Sequence, residues 1–64
     1  MVLQLSELRV EMEREEFWLL ALYLKRLTWD DVRARAQCDA EATLMLVAVE
    51  KLQRGLAEIG VKPR

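Results

Sequence analysis

The chain has 64 residues, 53% of them hydrophobic, with ten Lys and Arg set against eleven Asp and Glu, no histidine, and a net charge of -1. Such a chain makes one small domain and leaves no room for a second, and its near-neutral balance lacks the basic excess of a domain built on nucleic-acid binding. Cys38 is the only cysteine and His is absent, so neither an internal disulfide nor a thiolate–imidazole zinc site braces the fold. A chain this short buries only about 60% of its unfolded surface, and a partner subunit is the support that remains.

The sequence predicts a mainly α-helical domain with an N-terminal strand. Leu8, Val10 and Met12 alternate with Arg9, Glu11 and Glu13, the period of a half-buried strand over about 8–12. The same residues also fit a helix starting after a Ser6 cap, since Leu5, Leu8 and Met12 share helical spacing. Leu3 and Leu5 alternate in the opposite phase, so one strand through the whole segment needs a bend near Ser6 and Glu7. A lone strand leaves its backbone groups unpaired, and a second subunit is the expected source of its pairing.

A helix is expected over 14–26. Glu15 and Glu16 sit at its positive end and Lys25 and Arg26 at its negative end. Phe17, Leu20, Ala21, Leu24 and Leu27 share one face, and Trp18, Leu19, Leu22 and Tyr23 make the opposite side apolar as well. Thr28 with Asp31 three residues on reads as a capping box for a short helix over 29–36. Asp39 is the expected cap of a last helix over 40–59, whose Ala42, Met45, Leu46, Val49, Leu52, Leu56 and Ile59 form a core stripe, before Gly60 and Pro63 end it. Leu44, Val47 and Ala48 make the rear of this helix apolar near its start.

Two helices apolar on both faces bury only one face each within a single chain. Covering the second faces is worth about 1.5 to 3 kcal/mol per side chain, which favours an intertwined homodimer with a two-fold axis. Its interface is expected to hold Leu8, Val10, Met12, Trp18, Leu19, Leu22, Tyr23, Leu44, Val47 and Ala48. Gly55 inside the last helix, costly there by about 1 kcal/mol, points to a close approach, and its spacing from Ala48 suits a neighbouring helix.

No catalytic, metal or cofactor set is expected. Asp30 and Asp31 are adjacent on a helix and point about 100° apart, so they do not converge on one atom. Glu11, Glu15, Glu41 and Glu50 lack the histidines of carboxylate metal bundles. Ser6, Thr28 and Thr43 have no histidine base, Gly55 and Gly60 make no phosphate loop, and Cys38 has no dense basic neighbourhood in sequence. The longest apolar run, Phe17 to Leu24, falls far short of the roughly 20 residues that cross a bilayer, and no secretory leader is evident. With one free thiol, a cytoplasmic location is expected.

The runs WLLALYLKRL from Trp18, DDVRARA from Asp30, DAEATLM from Asp39 and EKLQRGLAEIGVKPR at the end resemble a family of small uncharacterised proteins encoded on plasmids and integrative conjugative elements of proteobacteria. The resemblance covers Leu8 to Arg64 and implies a setting, an accessory protein of a mobile element, without an activity. In the family the first helix opens at Thr or Asp, whereas Glu13 stands there in this chain.

The expected function is a non-enzymatic accessory or regulatory interaction protein, acting as a homodimer toward an unidentified protein partner. A strand followed by helices is also similar to ribbon-helix-helix repressors, whose paired strands enter the major groove. Arg9, Glu11 and Glu13 would face the DNA there, and the two glutamates oppose it. A second possible nucleic-acid surface is Lys25, Arg26, Arg33 and Arg35 around Trp29.

Overall fold

The computed structural model describes residues 1–63. Its elements are two strands, β1 (Val2–Leu5) and β2 (Leu8–Glu11), followed by three helices, α1 (Arg14–Arg26), α2 (Trp29–Arg35) and α3 (Asp39–Glu58). The mainly helical expectation holds. The strand expected over about 8–12 is present as β2, but it is not alone: β2 pairs antiparallel with β1 of the same chain, Leu3 opposite Val10 and Leu5 opposite Leu8. The pairing assigned to another subunit is therefore supplied internally.

Ser6 and Glu7 make the connecting turn. Ser6 has φ 52° and is the one non-glycine residue with positive φ among those described, the sign pattern of a type II′ hairpin turn. A loop of this length reverses the parity of the inward positions. That is why Leu3 and Leu5 on one strand and Leu8 and Val10 on the other occupy the same sheet face although they alternate in opposite phase along the chain.

Leu3, Phe17, Ala21, Leu24, Leu56 and Val61 form the core cluster, with Leu20, Leu27, Val49, Leu52 and Ile59 packed against it. No polar or charged side chain is buried among the described residues. The α1 stripe is as the spacing predicts, with Phe17, Ala21 and Leu24 buried. Glu13 caps α1: its backbone N–H donates to Glu16 Oε1 at 2.9 Å, so the carboxylate three residues on supplies what a Thr or Asp at the cap would otherwise begin.

Thr28 caps α2 with the predicted box: Asp31 N–H donates to Thr28 Oγ1 at 3.2 Å and Thr28 N–H donates to Asp31 Oδ2 at 3.0 Å. The helix ends one residue earlier than expected, at Arg35, and α3 runs from 39 to 58 with Cys38 in the cap position. Asp39 is not the cap because its carboxylate faces α2, where Arg33 Nε donates to Asp39 Oδ1 at 2.6 Å.

The end of α3 is a Schellman motif. Gly60 has φ +88°, its N–H donates to Ala57 O at 3.0 Å, and Val61 N–H donates to Leu56 O at 2.9 Å. The turn drives Val61 back beneath Leu56, and both side chains are at most 2% exposed.

Gly55 is the seat of the hairpin. A Cβ at this position would lie 2.7 Å from Leu5 Cδ2 and 3.4 Å from Leu3 Cδ1. The close approach read from the sequence is real, and what approaches is β1 of the same chain, not a second helix.

Candidate interaction surface

β1 lies on α3, whereas β2 runs farther from the helices and packs against the core only through Val10. Its inward residues overhang an apolar groove of about 630 Å³, lined by Leu5, Leu8, Val10 and Met12 of the hairpin segment, Leu20 of α1, and Ala48 and Leu52 of α3, with Lys51 at the rim. Leu8 is 60% exposed there, against 2% for Leu3 on the same sheet face.

Both long helices carry further exposed apolar side chains. On α1, Leu19 and Tyr23 neighbour Leu20 and are 56% and 61% exposed. On α3, Leu44 and Val47 precede Ala48 on the same helical strip, and Leu44 at 69% is the most exposed large apolar side chain described. Trp18 is also exposed; Leu22 is half-buried, and Ala48 is exposed. The domain is a slab of 35 × 26 × 15 Å in Cα extent, thin enough that two rear faces find no second layer of the chain to cover them. Val10 and Met12 are half-buried in the groove wall. Of the residues assigned from the sequence to an interface, the groove thus gathers Leu8, Val10, Met12 and Ala48, and the adjoining helix faces carry Leu19, Tyr23, Leu44 and Val47.

The basic residues do not gather in the same way. Lys25 lines a cleft with Glu50, Arg54 and Lys62. Arg26 and Arg35 line a different one with Tyr23 and Asp31. Arg33 is engaged with Asp39 and donates a further hydrogen bond to Ala36 O at 3.0 Å, which makes it the strap between α2 and α3. Trp29 is 43% exposed at the first turn of α2. Arg54 and Lys62, which meet Lys25, were absent from the sequence-based set; they come together only because α1 and α3 pack side by side and the chain turns back at Gly60.

Asp31 is held below its ordinary carboxylate value of 3.8 by the hydrogen bonds from Thr28, with Arg35 adding to the effect, which fits a cap carboxylate that stays ionised. Cys38 is a free thiol on the surface. Among the described residues no three His, Cys, Asp or Glu side chains are placed to hold a metal ion, and no helix is long and apolar enough to cross a membrane.

A small α-helical domain with an N-terminal β-hairpin is the class these features define. Over residues 1–64 the chain matches the model of a family of unknown function, DUF7706. It belongs to that family. The comparisons with curated proteins and with solved structures gave no match.

Proposed function

We propose that this protein is a non-enzymatic accessory or regulatory interaction protein that works as a homodimer through its long helices. The observation that carries the reading is the apolar groove under β2 together with the exposed apolar side chains of Leu19, Tyr23, Leu44 and Val47 on the two long helices. So many large apolar side chains left in water on a small domain mark an interaction site, and in a two-fold dimer each contributes twice. The setting we assign is a mobile genetic element in a bacterial cytoplasm. It is supported by the order of the Trp18, LKR, DD and terminal P-R features and by the single surface thiol.

The ribbon-helix-helix alternative has less support. The outward face of the hairpin carries Val2, Gln4, Arg9 and Glu11, where one carboxylate offsets the one cation and leaves no net attraction for phosphates. The second basic surface is divided between two clefts and a strap.

Sedimentation equilibrium over a wide dilution range, with circular dichroism on the same samples, tests the dimer. Leu44→Glu changes a side chain the monomer leaves in water, so the fold should persist while the dissociation constant rises about a hundredfold, since two leucines lose their burial. A wild-type chain that is monomeric at every concentration overturns the reading. A salt-dependent complex of the wild type with duplex DNA would favour nucleic-acid binding instead, through the strands if Arg9→Glu abolishes it and through the second basic surface if Arg35→Glu does.

A further inference from the structure

The free edge of β2 carries a more specific assignment. Met12 N–H donates to Met1 O at 3.0 Å, so Met1 and Met12 form a hydrogen-bonded pair, and alternation along an antiparallel ladder makes Leu3 with Val10 and Leu5 with Leu8 the next such pairs. The backbone groups of Leu8, Val10 and Met12 are therefore turned to β1. Those of Arg9 and Glu11 point the other way, to an edge with no strand beside it in the two-stranded sheet. The apolar side chains of β2 and its unused backbone groups thus share one border, directly over the groove.

We propose that the occupant of this edge is a second copy of the chain, with β2 pairing to β2 of the partner subunit across a two-fold axis at Val10. This rests on the reading of the protein as a homodimer and names where and in what register the subunits join. Residues facing each other in an antiparallel pair lie on the same face of the sheet, which permits only registers that set apolar residues against apolar ones. Charge then selects among them. An axis at Arg9 places Arg9 against the partner's Arg9 and Glu7 against the partner's Glu11, all like charges. An axis at Glu11 opposes the two copies of Glu11 and draws Glu13 into the ladder, although Glu13 N–H is already donated to Glu16. With the axis at Val10, Arg9 faces the partner's Glu11 and Glu11 faces the partner's Arg9. These are the residues whose backbone groups point outward, so each such pair exchanges both of its ladder hydrogen bonds. Glu7 then lies toward the partner's Glu13, beyond the end of β2, where the chain has already turned into α1.

On the inner face the same register sets Leu8 against the partner's Met12 and Val10 against its own copy. These are the closer, non-hydrogen-bonded positions of the ladder, and they roof the two grooves as one. The result is a four-stranded sheet continuous through both subunits, with the exposed strips of α1 and α3 on the groove side of the axis. It removes an open β-edge, which otherwise invites irregular pairing.

The register is tested by charge exchange. Arg9 and Glu11 are exposed in the monomer, so their substitutions leave the fold intact by circular dichroism. Arg9→Glu alone and Glu11→Arg alone should each weaken the homodimer about tenfold or more, because symmetry doubles every reversed pair. Mixing the two single variants should restore a tight heterodimer, since each glutamate then meets an arginine. Val10→Cys in a Cys38→Ser background should form a disulfide-linked dimer on mild oxidation, the two Cα atoms being about 4.5 Å apart at such a position; Arg9→Cys in the same background should not. If the wild type dimerises and Leu44→Glu dissociates it while the charge variants change nothing, the strand register is wrong and the helix-mediated dimer stands. If Arg9→Cys crosslinks in preference to Val10→Cys, the axis lies at Arg9 and the assignment fails.

Discussion

The two strands of the hairpin are equal in length and paired residue for residue, yet β1 buries Leu3 in the core whereas β2 reaches the core only through the half-buried Val10. Leu3 of β1 is sealed between α3 and the Phe17 cluster; Leu8 of β2, on the same face of the same sheet, is mostly in water. The cause lies in α3. Gly55 has no side chain, and β1 settles into the space with Leu5 against the helix backbone, while β2 is carried past the edge of the helical layer. A glycine that weakens its own helix by about 1 kcal/mol decides which strand is stabilised by burial and which is left available.

The contrast breaks most sharply under truncation of the two leucines. Leu3→Ala should cost about 2 to 5 kcal/mol in denaturant unfolding, enough to abolish most of the stability of so small a domain. Leu8→Ala should change the diluted monomer by no more than about 0.5 kcal/mol, the range of ordinary surface substitutions, and show its effect only where subunits associate. Comparable losses in the dilute chain would mean that β2 is seated as firmly as β1.

Filling the seat is the next largest perturbation. Gly55→Val should destabilise by about 1 to 3 kcal/mol through overpacking, with the loss concentrated in the hairpin. Amide exchange at Met12, whose N–H is bonded to Met1 O, should accelerate more than exchange in the middle of α1. Unchanged protection at Met12 would show that the hairpin does not depend on the glycine.

A smaller change, remote from the hairpin, sharpens the comparison by affecting both strands alike. Thr28→Ala removes the α2 cap and should cost about 1 kcal/mol, lowering protection throughout the domain. The same site should be visible in acid. Because the folded Asp31 pKa lies below its ordinary 3.8, the contribution of the ionised carboxylate is complete above that value and is lost as pH falls through the lower, folded one. The stability difference between wild type and Asp31→Ala should therefore be flat above about pH 5 and shrink on further acidification.

Much of this was legible in the sequence because helical signals are local. The α1 boundaries, the Thr28 box and the Gly60 turn follow from residues within a few positions of one another, and the exposed rear faces of α1 and α3 follow from where Trp18, Leu19, Tyr23, Leu44 and Val47 fall on a wheel. The hairpin was missed because its turn, Ser6-Glu7, lacks the glycine or asparagine that ordinarily announces one. The signal for it is the reversal of phase between Leu3, Leu5 and Leu8, Val10, which a short hairpin loop produces as readily as a bend within one strand does. Gly55 disclosed a close neighbour without naming it, since composition along a helix says nothing about which distant segment arrives. The basic residues were grouped by nearness in sequence, and tertiary packing separated Lys25 from Arg33 and joined it to Arg54 and Lys62.

Leu3 and Val61, near opposite ends of the chain, belong to one cluster. Holding them in one cluster closes a long loop, whose entropy cost is offset only by contacts between segments far apart in sequence. Local opening of either segment therefore exposes the core itself and not only a surface turn.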